Sequence, residues 1–310
     1  GIGNVTDINL TLFQLLWKLD FEVLPVVLRT RDEGIMSTTI PSLNKLNYVI
    51  VQVKMNNQTY LLDATDELLP YGFLPERCIN GQGRTVCDYP EWVELKTSKK
   101  DKETISYDLD LKNESLSLKG KIIHKKNDYA AFNFRKKYRT FNSKEEYLDE
   151  FQKDKAGLKI LSSEILKLDS IYFPVQEKYE VSVTNRVSEI EGELYINPLL
   201  YSQFKENPFK SDEREYPVDF PYLIEKSFIV TIKIPERYTI ASLPESVKLQ
   251  LPNNAASFVY QIAFVNNTIQ LNCKFNINKE IFPVEEYSDL KEFYAQVIKQ
   301  QALPVILKKN

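Results

Sequence analysis

The sequence predicts an α+β chain, and three observations carry that prediction. An amphipathic helical pattern near the N-terminus leads into Val-rich runs of strand length. A middle stretch mixes alternating and helical patterns. The last third is a series of short alternating runs separated by Pro and Asn turns. Three segments are expected: 1–95, a mixed segment at 102–188, and an antiparallel, sandwich-like β domain with a final helix at 189–310. The charged, apolar-poor run 96–103 is the expected boundary between the first two.

The first element is a helix. Ile8, Leu12, Leu15, Leu16 and Leu19 recur at helical period and define one apolar face. Asn4 is placed to cap it, with Asp7 three residues on in a capping-box position. Residues 21–29 are rich in valine, bounded by charge, and predict a buried strand. Residues 48–55 alternate, Asn56-Asn57 is a tight-turn signal, and residues 58–62 return as the partner strand. Antiparallel pairing of those two strands holds Tyr48 near Asp63, where the phenol can donate to the carboxylate. Residues 70–95 are broken repeatedly by Gly and Pro and predict a loop-rich wrap.

Residues 105–111 and 116–123 alternate as strands. Helices are expected at 129–138 and 143–155, the second opened by Ser143 with Glu146 three residues on. Strands follow at 158–168, 178–187, 194–196, 226–234, 247–251, 257–265 and 268–277, with a tight turn at Asn266-Asn267. The helix expected at 286–300 carries Leu290, Phe293, Tyr294 and Val297 on one face, which suits packing against the β domain.

Composition excludes several classes of function. The chain is 43% hydrophobic and 27% charged, a globular balance. A net charge of −3 gives no electrostatic drive toward nucleic acid. No apolar run is long enough to span a membrane; the lack of a signal peptide at Gly1 excludes nothing, because the segment is expected to be cut from a longer protein. There is one histidine, His124, and three cysteines, Cys78, Cys87 and Cys273, so a Cys–His site could draw only on His124. His124 sits among lysines in LKGKIIHKKND and reads as solvated surface. Too few His and Cys ligands occur at useful spacing for zinc, and no cofactor motif appears. The 18 tyrosines suit contact with carbohydrate or peptide, although tyrosine is also common in strands.

Three short motifs fall in a recognisable order. Gly3, Val5 and Asp7 open the first helix; Leu46-Asn47-Tyr48-Val49-Ile50 opens one strand; Tyr60-Leu61-Leu62-Asp63-Ala64-Thr65 closes another. Over roughly residues 3–77 the chain resembles the transglutaminase-like, papain-like core. In that family the first motif carries the nucleophilic cysteine, the second the general-base histidine and the third the orienting aspartate. The resemblance therefore implies a degenerate triad: Val5 replaces the cysteine, Tyr48 replaces the histidine, and Asp63 remains. Valine offers no nucleophilic atom, and a phenol with a pKa near ~10 is a poor base at neutral pH. Asp7 is read as a helix cap. Family cores carry helices before the cysteine helix, so the segment is expected to be N-terminally truncated and cut from a longer protein.

Residues 70–95 contain LPERC and NGQGR, strings that resemble a segment following the core in multidomain Bacteroidetes transglutaminase-like proteins. Tyr195-Ile-Asn-Pro198, residues 207–210 and residues 214–220 resemble the C-terminal domain of those proteins. Arg77 and Arg84 are candidates for binding a carboxylate or phosphate, with pairing to Asp66, Glu67 or Glu76 as the plainer role. Cys78 and Cys87 could pair in an oxidising compartment and would be small buried hydrophobes in the cytosol; the sequence leaves both open. The resemblance implies a non-catalytic module of an exported, periplasmic or cell-surface protein, binding a peptide, glycan or envelope partner. The alternatives are an active cysteine peptidase or transglutaminase using other residues, and a structural spacer.

Overall fold

The computed structural model describes residues 3–36, 39, 42–112 and 115–310. The chain divides into two compact units, Gly1–Lys99 and Lys100–Asn310, and the division falls inside the charged run.

The first unit packs one helix on a five-stranded sheet. Helix α1 (Val5–Lys18) begins at Asn4, whose side chain accepts from the Asp7 amide while the Asp7 carboxylate accepts from the Asn4 amide, each at 3.0 Å. This reciprocal cap satisfies donors that the first turn would otherwise leave open. Strand β1 (Glu22–Leu28) pairs antiparallel with β2 (Tyr48–Met55), which turns at Asn56-Asn57 into β3 (Gln58–Leu62). Both turn asparagines adopt positive φ, 53° and 59°, as a two-residue hairpin with right-handed twist requires. Strands β4 (Gln82–Thr85) and β5 (Trp92–Glu94) complete the order β3-β2-β1-β4-β5. The stretch expected as a loop-rich wrap thus contributes two strands; they are too short for alternation to reveal.

Helix α1 lays Leu12, Phe13 and Leu16 on Val23, Val51 and Val53. Its apolar face is narrower than expected, because Leu15 and Leu19 are 57% and 69% exposed. Asn9 is the helix residue that is fully buried.

The second unit is built around an eight-stranded sheet. In chain order it contains β6 (Asp101–Lys112), β7 (Ser117–Asn127), α2 (Asp128–Tyr138), α3 (Lys144–Lys153), β8 (Leu158–Leu166) and β9 (Val175–Val183). Two short strands follow, β10 (Val187–Ile190) and β11 (Glu193–Ile196), then β12 (Val218–Asp219), β13 (Ile224–Lys233), β14 (Tyr238–Ser242) and β15 (Val247–Gln250). The chain ends with β16 (Ala256–Val265), β17 (Thr268–Ile277), β18 (Ile281–Phe282), α4 (Tyr287–Gln301) and β19 (Val305–Lys309). The large sheet runs β15-β16-β17-β13-β6-β7-β9-β8, beside a four-stranded sheet β10-β11-β19-β14 and the pair β12-β18.

One expectation is corrected here. Segments 102–188 and 189–310 are not separate bodies: β6 pairs in parallel with β13 from Ile224↔Asp101 to Lys233↔Asp110, and one core runs through both segments. The pairings among the strands of residues 189–310 are antiparallel, as expected, and among the described residues the one parallel pair of the large sheet is this β6–β13 junction with the preceding segment. Alternation marks a strand and its buried face, but not its neighbour, and a parallel partner is remote in sequence. The core gathers Val230 and Ile232 of β13, Leu271 and Phe275 of β17, Leu290 and Val297 of α4, and Leu307 of β19.

Candidate functional site

In the first unit a single buried side chain fixes the helix both to β2, which carries Tyr48, and to the chain just past β3, which carries Asp63. Asn9 donates to the Val49 carbonyl and accepts from the Ala64 amide, each at 2.8 Å. Val49 follows Tyr48 and Ala64 follows Asp63, so the first turn of α1 is registered against both positions. Val5, one turn before Asn9, is half-buried.

Tyr48 is buried at the start of β2 and donates to Asp63 Oδ2 at 2.7 Å. Its hydroxyl also lies 3.0 Å from Thr65 Oγ1 and accepts from Arg77 Nη2 at 2.7 Å. The same Arg77 nitrogen reaches Thr65 Oγ1 at 2.7 Å, and the guanidinium sits 5.1 Å from the Tyr48 ring centroid. Asp63 is otherwise satisfied locally: its Oδ1 accepts from the Thr65 amide at 2.7 Å and from the Thr65 hydroxyl at 2.5 Å. The result is a closed knot of phenol, carboxylate, hydroxyl and guanidinium.

The electrostatics oppose ionisation of the phenol. Burial pushes the Tyr48 hydroxyl above its ordinary value of 10.0, and the bonds from Thr65 and Arg77 only partly counter it. Cys78, fully buried, points its thiol at Asp63 Oδ2 across 3.9 Å, and burial together with that carboxylate pushes the thiol up as well. A protonated phenol and a protonated buried thiol supply neither a base nor a thiolate nucleophile at neutral pH.

The sequence-derived candidates separate accordingly. Val5 on α1, Tyr48 on β2 and Asp63 just past β3 belong to three segments that Asn9 ties together. Arg77 joins the knot instead of pairing with Asp66, Glu67 or Glu76. Arg84 stands elsewhere on the sheet, with its guanidinium 4.8 Å from the Trp92 ring centroid. Cys78 and Cys87 are unbridged; Cys87 is exposed, with its sulfur 3.2 Å from the Tyr89 carbonyl. Among the described residues no group of His, Cys, Asp and Glu is arranged to hold a metal ion.

His124 is the largest departure from the sequence reading. It lies inside the second unit, with its side chain only 14% exposed. Its Nε2 is 2.5 Å from Glu103 Oε2, and Lys126 Nζ donates to its Nδ1 at 2.9 Å. A lysine ammonium against Nδ1 and a carboxylate against Nε2 suit a neutral ring that carries its proton on Nε2. Lys126 also pairs with fully buried Glu177, which accepts from Tyr147 and Tyr179 as well; Lys226 pairs with Glu103 and Asp101. Burial and the neighbouring Lys126 cation hold His124 below its ordinary value of 6.5. Burial works against ionisation of both carboxylates, but His124 and Lys226 hold Glu103, and Lys126 and His124 hold Glu177, below the usual carboxylate range. A signal for this cluster existed in the sequence: Glu177 falls in phase with Val175, Tyr179, Val181 and Val183, the buried face of β9.

Comparison with known proteins gives two likenesses. Residues 192–307 match a family model described as a domain of unknown function, DUF3858. The whole fold is similar to the crystal structure of a protein described as "a putative protease" from Parabacteroides distasonis, with a TM-score of 0.51 and 13% identity. That match covers 98% of this chain and 44% of the other, so the chain spans less than half of its neighbour's length. No curated protein matches the sequence. The structural likeness is one of fold, and it accords with the transglutaminase-like resemblance of the first unit. Among the described residues no helix is long and apolar enough to cross a membrane.

Proposed function

We propose that the first unit is a non-catalytic transglutaminase-like module that binds a peptide, glycan or envelope partner within an exported multidomain protein. One observation carries the non-catalytic part. The hydroxyl of Tyr48, where the family has its base, is engaged by Asp63, Thr65 and Arg77 together. A buried phenol so held is a structural donor and acceptor. Val5 has no atom that can attack a carbonyl, and the triad residues of such sites act as a unit, so loss of two removes nearly all of the rate. Export rests on the sequence resemblance, and fractionation of the native host would test it: recovery solely from the cytosol would overturn it.

The test of the module compares the unmodified protein with the Val5→Cys, Tyr48→His pair. The unmodified protein should neither hydrolyse peptides nor transfer a glutamine acyl group. The double variant, if circular dichroism shows it folded, should gain a thiol that alkylates fast at neutral pH, because a helix first turn favours thiolate. Turnover by the unmodified protein that is lost on alkylation of its cysteines would refute the reading.

A further inference from the structure

A second feature of the first unit is independent of the triad positions. Register places Arg84 opposite both Val27 and Trp92, and Val27 opposite Val49, so these four residues form one cross-strand row on one face of the sheet. Over part of that row lies a cavity of about 510 Å³, walled by Val27, Met36, Leu46, Val86 and Trp92. The volume lies within the range of small-molecule sites, which are mostly apolar with a few placed polar groups.

Arg84 is the charged side chain on this lining. Its guanidinium stacks on Trp92, and no carboxylate of the described residues pairs with it. Thr85, also on the lining, is already engaged: its hydroxyl accepts from the Glu91 amide at 2.7 Å. The cavity therefore offers apolar walls and one forked cation, held flat by an aromatic ring and without an internal counter-ion. A guanidinium presented this way matches a carboxylate through two parallel N–H bonds.

We propose that this cavity binds a carboxylate carried on an apolar body, with Arg84 gripping the carboxylate and Val27, Met36, Leu46 and Trp92 enclosing the body. Two sources share that chemistry, a free organic acid and the C-terminal residue of a peptide. The site stands whether or not the triad positions are catalytic.

Cys87 supplies a reporter. It lines the same cavity and is exposed, whereas Cys78 and Cys273 are fully buried, so alkylation of the folded protein reads Cys87. The experiment titrates the full chain with 4-phenylbutyrate and its primary amide, and with N-acetyl-Ala-Phe as acid and amide. Calorimetry gives affinity, and iodoacetamide labelling of Cys87 gives protection. At least one acid should bind saturably, about tenfold or more tighter than its amide, and slow Cys87 labelling. A preference for phenylbutyrate identifies a free acid; a preference for the peptide identifies a chain terminus. Arg84→Met should erase the difference between acid and amide while Cys87 stays reactive. Amides binding as tightly as acids, failure of every probe to bind or protect, or discrimination surviving in a folded Arg84→Met protein would each overturn the proposal. Should that variant not fold, the contrast between acid and amide on the unmodified protein, with Cys87 protection, decides alone.

Discussion

Replacing Lys126 with methionine removes the cation from the buried cluster of the second unit and leaves Glu177, which is 0% exposed, without its ion-pair partner. Breaking one side of a buried pair typically costs about 3–5 kcal/mol. Tyr147 and Tyr179 still donate to Glu177, so the loss should lie near the lower end, about 3 kcal/mol at pH 8. The cost should then depend on pH through His124. In the native protein His124 is held below 6.5, so as pH falls through that value the unfolded chain takes up a proton that the folded chain refuses, and stability drops.

In the variant, the repelling Lys126 is gone, and His124 Nδ1 lies 3.6 Å from Glu177 Oε2 and Nε2 lies 2.5 Å from Glu103. A protonated ring can bridge both carboxylates, so its folded pKa should rise above the unfolded value. Stability from that bridge is present below the unfolded pKa and lost as pH rises through the folded one. The penalty of the substitution should therefore shrink between pH 8 and pH 5.5, by up to about 1.4 kcal/mol for each unit by which the variant's imidazole titrates above the native one. Urea unfolding at the two pH values measures the penalty. NMR titration of His124, the sole histidine, follows one imidazole without assignment ambiguity. A penalty under about 1 kcal/mol at pH 8, or a histidine that titrates no higher in the variant than in the native chain, would refute the reasoning.

Other outcomes follow from the same unit. Arg135 is 1% exposed and donates to the carbonyls of Lys167, Leu168, Ser170, Ile171 and Phe173. Arg135→Met should lower stability by about 3 kcal/mol, with Arg135→Lys only partly better because an ammonium lacks the five-donor fork; a loss under about 1 kcal/mol in chemical denaturation would count against this role. Gly120 in β7 has φ of 156°, and an added Cβ would stand 2.1 Å from the Asp108 carbonyl oxygen on the paired strand. Gly120→Ala should therefore force β6 and β7 apart and lower the melting temperature by roughly 10 °C or more, given about 2–4 °C per kcal/mol for a unit of this size; a shift within error would show that the strands part freely.

Local features of this protein were legible in its sequence. The Asn4–Asp7 cap, the Asn56-Asn57 hairpin, the Ser143 start of α3 and the Tyr48–Asp63 hydrogen bond each depend on residues within fifteen positions of one another. Their chemistry is set by neighbours that the chain itself supplies. The motif order that resembles a transglutaminase-like core, and the valine and tyrosine within it, were equally plain. The remainder depended on contacts between distant residues. Arg77 chose Tyr48 over nearer acids because the wrap carries it across the end of β2. His124 looked solvated among lysines, yet β7 lies between β6 and β9, and their Glu103 and Glu177 draw it and Lys126 into the interior. Arg84 met Trp92 only when two very short strands paired. Sequence fixes what a residue can donate, accept or ionise. Which partner it meets is decided by strand register and burial, because desolvation and packing belong to the whole fold.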